Sequence, residues 1–312
     1  MRYEYVWLDG YKPEPSLRSK VKVDEKAVPW SFDGSSTEQA TGDNSDCVLN
    51  PTMEYHPGLV MCEVLNADWS PHESNTRVNV PECDDWWFGF EQEYFLYKDG
   101  RPLGWPEKGE PRPQGDYYCG VGTNNVIGRN ISENHLEVCL DAGISITGTN
   151  AEVALGQWEY QCLGAGVGAG DDLWMSRYLL HRVAEDYGVS VNLHPKPRSG
   201  DWNGSGMHTN FSNSEMREQG SEELMTMMCT RLQSRHKIAI GEYGSDNNKR
   251  LTGKHETQSI KKFSYGVSDR GASIRIPIST VENGWNGYLE DRRPASNADP
   301  YRVIKHIVES IT

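Results

Sequence analysis

Glu91 and Glu93 stand two positions apart in an aromatic run, WFGFEQEYFLY, over 87–97. Such a run predicts a buried strand. Side chains alternate along a strand, so both carboxylates leave one face, about 6.6 Å apart along the chain. Phe90, Tyr94 and Leu96 leave the other face. Two like charges about 7 Å apart repel by about 2 kcal/mol at an effective dielectric near 20. Burial adds a desolvation cost. A divalent cation between the carboxylates offsets both terms, and hard ions such as Mg²⁺ or Mn²⁺ prefer oxygen ligands. Taken alone, the segment fits equally well two solvated glutamates beside an aromatic core.

Other segments repeat the pattern. Glu152 and Glu159 lie in NAEVALGQWEYQ (150–161), where Gln157, Glu159 and Gln161 share a strand face. Glu290 lies in GYLEDRR (287–293) and shares a face with Arg292. Acid recurring among aromatics points to an acidic cavity that holds metal. His208, in DWNGSGMHTNFS (201–212), is a candidate ligand beside these carboxylates, and Gly204 and Gly206 would let a ligand approach the backbone closely. Arg250, Arg270, Arg275 and Arg292 crowd the last third of the chain. Guanidinium forks near acidic strands suit phosphate or carboxylate groups held between cations and arginines. Any one of these arginines alone reads as a surface ion pair. The tract LGAGVGAG (163–170) is not read as a nucleotide loop, because no Lys-Ser/Thr follows and the glycine spacing is wrong. It reads as a flexible turn into a helix.

These side chains need strands and helices to hold them. Strands are expected over 3–8, 17–23 and 59–64, with a turn-rich acidic loop at 30–37 and a linker at 81–85. From residue 87 onward strands interleave with helices. Helices are expected over 130–142, capped by Ser132 or Asn134 and stopped by Gly143, over 171–187, and over 214–237 with a break near Gly220. The stretch 270–277 reads as strand. The 312 residues, 36% hydrophobic and 10% aromatic, can fill a sizeable core. A net charge of −14 argues against nucleic acid and against anionic membrane surfaces. No apolar window is long enough to span a bilayer, and the first residues show no signal-peptide pattern. Seven cysteines without a Cys-x-x-Cys pair read as reduced thiols in the cytoplasm.

Taken together, the segments resemble glutamine synthetase, in its shorter type II form. The matching stretches are WSFDGSST (30–37), WFGFEQEY (87–94), NAEVALGQWEYQ (150–161), DWNGSGMHTNFS (201–212), RLTGKHET (250–257), DRGASIRIP (269–277) and GYLEDRRPASN (287–297). They run in the family's order along nearly the whole chain. The resemblance implies an α+β fold, with a small β-grasp domain over 1–80 and a catalytic domain over 85–312 built on a curved antiparallel sheet backed by helices. It implies two or three divalent ions, Mg²⁺ or Mn²⁺, with Glu93, Glu152 and Glu159 on one and Glu91, His208 and Glu290 on a second. It implies Arg250, Asn203 and Gly204 on the glutamate substrate, and Arg270, Arg275 and Arg292 on the transferred phosphoryl group. Trp87, Gln161, Asn210, Ser212 and Tyr288 would border ATP, Asp33 would bind ammonium, and Glu256 would close the site as a flap. The implied reaction is ATP-dependent joining of glutamate and ammonia through γ-glutamyl phosphate. The implied assembly is a homo-oligomer, two stacked rings of five subunits, with Asp33 serving the adjacent subunit.

The chain departs from the family's pattern in places. It begins at its first strand without a helical lead-in, and only a short linker joins Arg77 to Trp87. Leu163-Gly164-Ala165 stands where Gly-Pro-Cys is usual, and Lys254 replaces an aromatic before the flap. These changes bear on ring contacts, the edge of the ATP pocket and flap behaviour. A ligase for an organic amine, a non-catalytic ring protein and a metal-dependent phosphohydrolase are the competing readings. Asp33, which suits a small cation, sets the first apart.

Overall fold

The structure is a computed structural model that describes residues 1–312. Two sheets organise it. The first contains β1 (Arg2–Leu8), β2 (Leu17–Val23), β3 (Trp30–Asp33), β4 (Asp46–Tyr55) and β5 (Leu59–Asn66), in the order β2-β1-β5-β4-β3. β1 and β5 pair in parallel and the other pairs are antiparallel. Alternation along β1 gives the sheet two apolar faces. Tyr3, Tyr5 and Trp7 pack with Phe32, Leu49 and Val60, while Val6 and Leu8 join Met61 and Tyr55 in the large core of the molecule.

The second sheet contains β6 (Trp87–Lys98), β7 (Arg101–Pro102), β8 (Ile146–Ala151), β9 (Gln157–Ala165), β10 (Ser190–Asn192), β11 (Met207–Ser212), β12 (Tyr265–Val267), β13 (Ile274–Ile276) and β14 (Leu289–Asp291). Its path is β12-β13-β14-β11-β6-β9-β8, with β7 and β10 also on β6. The 12-residue β6 is the spine. All pairs are antiparallel except β12 with β13, so the sheet is mixed rather than wholly antiparallel as expected. Helices α1 (Arg129–Ala142), α2 (Gly168–Asp186), α3 (Ser214–Glu218), α4 (Glu222–Ser234), α5 (His236–Ile240), α6 (Ile278–Glu282) and α7 (Pro300–Ile311) accompany it. The back of β6, formed by Phe88, Phe90, Tyr94 and Leu96, is fully buried in the core with α1, α2 and α7 side chains. This is an α+β architecture.

Several local expectations change. The first half of 30–37 is strand β3, and the Gly-rich tract is not a flexible turn: β9 continues to Ala165 and α2 begins at Gly168. Glycine is required there by close packing. A Cβ on Gly170 would meet the Tyr301 ring at 2.6 Å, so α2 and α7 could not approach as they do. Neither Ser132 nor Asn134 caps α1. Its N-cap is Gly128, and the Ser132 hydroxyl bonds Thr149 Oγ1 at 2.6 Å instead. Gly143, at φ +87°, does end the helix, returning its N–H to Cys139 and Leu140 carbonyls. The segment 214–237 breaks at Gly220 into α3 and α4, with α5 starting at His236. The extended part of 270–277 is Ile274–Ile276 alone.

The connection between the sheets is tied down by charge. Arg77 donates from Nε and Nη2 to both oxygens of Asp171, each at 2.9 Å, and Tyr301 Oη donates to Asp171 Oδ1 at 2.6 Å. Asp171 is fully buried inside α2. Removing one partner of such a pair strands the other charge in the core. Arg77→Ala is expected to destabilise the fold by about 3 kcal/mol, and adding Asp171→Asn should recover most of that loss. Calorimetric melting of the three variants measures this; a double variant as unstable as the single one would contradict it.

Candidate active site

Strand register assembles the site. On β6, Glu91 lies opposite His208 of β11 and opposite Gln161 of β9, while Glu93 lies opposite Glu159. Glu290 on β14 pairs with Asn210 on one side and Arg275 on the other. Glu152 stands just past the end of β8, in the turn that leads into β9. The period of two thus turns acids that are distant in sequence into neighbours on one concave face.

The ligand atoms of Glu91, His208 and Glu290 lie within 4.8 Å of one another, and so do those of Glu93, Glu152 and Glu159. Both groups line a cavity of about 600 Å³ that also takes in Asn203, Gly204, Arg250, Glu256, Arg270, Arg275 and Arg292. The carboxylates are oriented by neutral donors. Asn210 Nδ2 donates to Glu91 Oε1 at 2.8 Å, and Gly206 N donates to Glu93 Oε2 at 2.6 Å. Asn150 Nδ2 and Val153 N each donate to Glu152 at 3.1 Å, and Gln161 Nε2 donates to Glu159.

Burial, and next the charge of Glu152, pushes the Glu93 carboxyl above the ordinary carboxylate range. Burial likewise raises Glu152, with Glu91 and Glu256 adding repulsion. Glu159 is raised by burial and then by Glu91, Glu93 and Glu152. The His208 imidazole is held neutral, first by burial and then by the Arg292 guanidinium, with its Nδ1 edge 3.4 Å from Glu91 and 3.6 Å from Glu290. A neutral imidazole among carboxylates is a metal-ligating set. The donor chemistry and the spacing of both groups fit a divalent cation in each.

Arg250, Arg275 and Arg292 are not surface pairs, while Arg270 is exposed. Arg275 Nε and Arg292 Nη1 each reach Glu290 at 2.6 Å, and Glu290 is buried. Arg250 is buried against neutral acceptors: the Arg292 carbonyl at 3.0 Å, the Arg293 carbonyl at 3.3 Å and Asn247 Oδ1 at 3.5 Å. No carboxylate hydrogen-bonds it, so its charge remains available to an anion. The glycines at 204 and 206 also make room within the protein. A Cβ on Gly206 would meet Arg250 Nη2 at 2.4 Å, and one on Gly204 would meet Arg250 Cγ at 2.7 Å. Part of the room they leave is taken by this chain's own Arg250, and Gly204 also lines the acidic cavity.

Trp87, Gln161, Asn210, Ser212 and Tyr288 come together around a second cavity of about 250 Å³, with Phe90, Cys162, Leu163 and Phe211 supplying apolar wall. The two cavities share Glu91 and Gln161. Glu256 sits on the rim of the acidic cavity in the loop after Arg250. His255 and Glu256 both take the left-handed conformation, at φ +54° and +57°. Thr257 Oγ1 holds that loop by donating to the Lys254 carbonyl at 2.8 Å and the Arg250 carbonyl at 3.2 Å. Asp33 is not brought to either cavity. It ends β3 on the other sheet, exposed, and its carboxylate accepts from Ser35 N at 3.0 Å, Ser35 Oγ at 2.6 Å and Ser36 Oγ at 2.9 Å. Those bonds hold its carboxyl below the usual range. Residues that sequence reasoning missed also line the acidic cavity: Tyr118, Asn150 and His255. Tyr118 comes from an aperiodic loop, which offers no pattern to read.

The family model described as glutamine synthetase, catalytic domain, matches residues 81–311. A glutamine synthetase of Bradyrhizobium diazoefficiens is 52% identical over 100% of this chain and 96% of its own length. One from Rhizobium meliloti is 51% identical over 97% of this chain and 98% of its own, and one from Schizosaccharomyces pombe is 49% identical over 99% and 91%. The chain belongs to the glutamine synthetase family.

Proposed function

We propose that the chain joins glutamate to ammonia at the expense of ATP, and that the acidic cavity is where it does so. One observation carries this reading: two ligand groups and an arginine cluster face one cavity, beside an apolar pocket bordered by Trp87 and Tyr288. Glu93, Glu152 and Glu159 would hold one divalent ion, and Glu91, His208 and Glu290 a second, as Mg²⁺ or Mn²⁺. Such ions, bound, neutralise phosphate oxygens and order them for in-line attack.

The chain's own residues do the rest. Trp87, Gln161, Asn210, Ser212 and Tyr288 receive the nucleotide. Arg250, whose charge only neutral acceptors and His208 touch, grips a substrate carboxylate together with Asn203 and Gly204. The glutamate side-chain carboxylate attacks the γ-phosphorus and ADP leaves. Arg270, Arg275 and Arg292 stabilise the charge on the transferring phosphoryl oxygens. Ammonium held at Asp33 passes a proton to that carboxylate, and ammonia attacks the γ-carbonyl and expels phosphate. Water would destroy the acyl phosphate, so the loop carrying Glu256 closes over it.

Residues 1–80 form a β-grasp domain in this reading, and 85–312 form the catalytic domain. The parallel β1–β5 pair at the centre of the first sheet and the family match over 81–311 support that division. Asp33 lies outside its own chain's cavity, which supports a homo-oligomer, two rings of five, in which each site takes Asp33 from the adjacent subunit. No helix is long and apolar enough to cross a membrane. A cytoplasmic location belongs to this reading through the reduced thiols that the seven scattered cysteines suggest.

Glu93→Ala should abolish glutamine formation. Asp33→Ala should spare acyl-phosphate formation, seen as ADP release without ammonia, but slow glutamine production at low ammonium. Normal production there would refute the role of Asp33. Mixing Asp33→Ala with Arg292→Ala chains should restore about a quarter of the sites, because random neighbours supply both intact groups that often. No recovery on co-assembly would refute the shared site.

Metal and pH should be linked. The raised carboxyls hold protons in the folded chain that the unfolded chain has released above pH 4.5, the ordinary glutamate value. Stability contributed by this cluster is therefore full below that value and is lost as pH rises through the raised values. A divalent ion replaces those protons, so the Mn²⁺-induced rise in Tm should be larger at about pH 8 than at about pH 6. Glu159→Gln should remove much of the difference; equal shifts at both pH values would contradict the linkage.

A further inference from the structure

Gln114 lies between β7 and α1, outside every stretch that carries the family resemblance. Its amide holds Asn203 at two points. Gln114 Oε1 accepts from the Asn203 backbone N at 2.6 Å, and Gln114 Nε2 donates to Asn203 Oδ1 at 2.6 Å. A backbone N–H can only donate, so the first contact fixes which end of the Gln114 amide faces Asn203. The second contact then fixes Asn203, with Oδ1 turned toward Gln114 and NH₂ turned away. Asn203 lines the acidic cavity, and its Nδ2 has no protein acceptor and is not sealed from solvent.

The loop that carries Gln114 is itself anchored. Gly115 N donates to the Val153 carbonyl and Cys119 N to the Ala151 carbonyl, both at 2.9 Å, which seats the loop on the turn that bears Glu152. Tyr117 is buried, and its hydroxyl donates to the Arg112 carbonyl at 3.2 Å. On the other side, Trp202 packs against Trp105, with ring centroids 4.6 Å apart and planes tilted by 51°, which holds the residue before Asn203. A Gln114 amide turned to follow a reversed Asn203 would present its NH₂ to the Asn203 N–H and lose the bond at 2.6 Å.

We infer that Gln114 is a positioning residue that makes Asn203 offer a donor, not an acceptor, to a carboxylate of the amino-acid substrate. The inference rests on the proposed reading of Asn203 as substrate-binding. In a cavity already lined by Glu91, Glu93, Glu152 and Glu159, an outward Asn203 Oδ1 would add one more acceptor facing an anion. With the amide as held, the same residue supplies a donor in the cavity that Arg250 also lines.

Two variants test this. Glutamate at position 114 has no donor when ionised, so Gln114→Glu favours turning Asn203 Nδ2 toward position 114 and Oδ1 into the cavity. Gln114→Ala leaves Asn203 free to take either orientation. The KM for glutamate should rise about tenfold or more in Gln114→Glu and by less in Gln114→Ala, the loss expected for a hydrogen bond to a charged group. The KM for ATP and the Mn²⁺ affinity should stay within about twofold in both variants, below what a lost hydrogen bond changes. The isosteric variant is thus worse than the truncation, the reverse of what a packing role gives. The added charge is separated by a cycle with Asn203→Ala. In that background Gln114→Glu should alter the glutamate KM by less than about twofold, since no amide remains to reverse. A milder effect in Gln114→Glu than in Gln114→Ala would overturn the inference, and so would an undiminished effect beside Asn203→Ala. A wild-type chain that makes no glutamine would instead overturn the reading beneath it.

Discussion

Glu91, Glu93, Glu152 and Glu159 face one another where β6 and β9 run side by side, touched by amides, backbone N–H groups and the His208 ring. Their mutual repulsion and desolvation are the cost around which the site is organised. Everything next to them answers it. Arg250, Arg275 and Arg292 arrive from loops and β13, and Glu290 takes two of those forks at 2.6 Å. The back of the same strand is aromatic and sealed, so β6 cannot slip to relieve the crowding. A shift by one residue would exchange the acid face for the apolar one.

The acidic faces were legible in the sequence because a strand has a fixed period and Glu91 and Glu93 obey it. The register between strands was not. That Glu93 meets Glu159, and Glu91 meets His208, depends on pairings more than sixty residues apart along the chain, which no local pattern encodes. The family resemblance supplied the grouping that periodicity lacked. Tyr118, His255 and Gln114 sit in loops without period, and their positions follow from single contacts to the rim of the sheet.

Other misreadings have local causes. Strand β4 is hard to read from sequence because Asn50, Pro51 and Thr52 interrupt its apolar run, and its pairing with β5 shifts register between Pro51 and Met53. Helix α7 carries a clear start signal, Asp299 as cap and Pro300 in the first turn, with Asp299 Oδ1 accepting from Tyr301 N at 3.0 Å. At Gly204 and Gly206 the sequence shows room but not that Arg250 takes part of it.

The wall common to the two cavities also has a bearing on inhibition. Glu91 and Gln161 border both compartments, so the apolar pocket and the acidic one lie side by side with these two side chains between them. A tethered compound with an aromatic head in one compartment and an anionic tail in the other could engage both at once. Its second attachment would then proceed at the effective concentration set by the tether, giving avidity that neither fragment has separately.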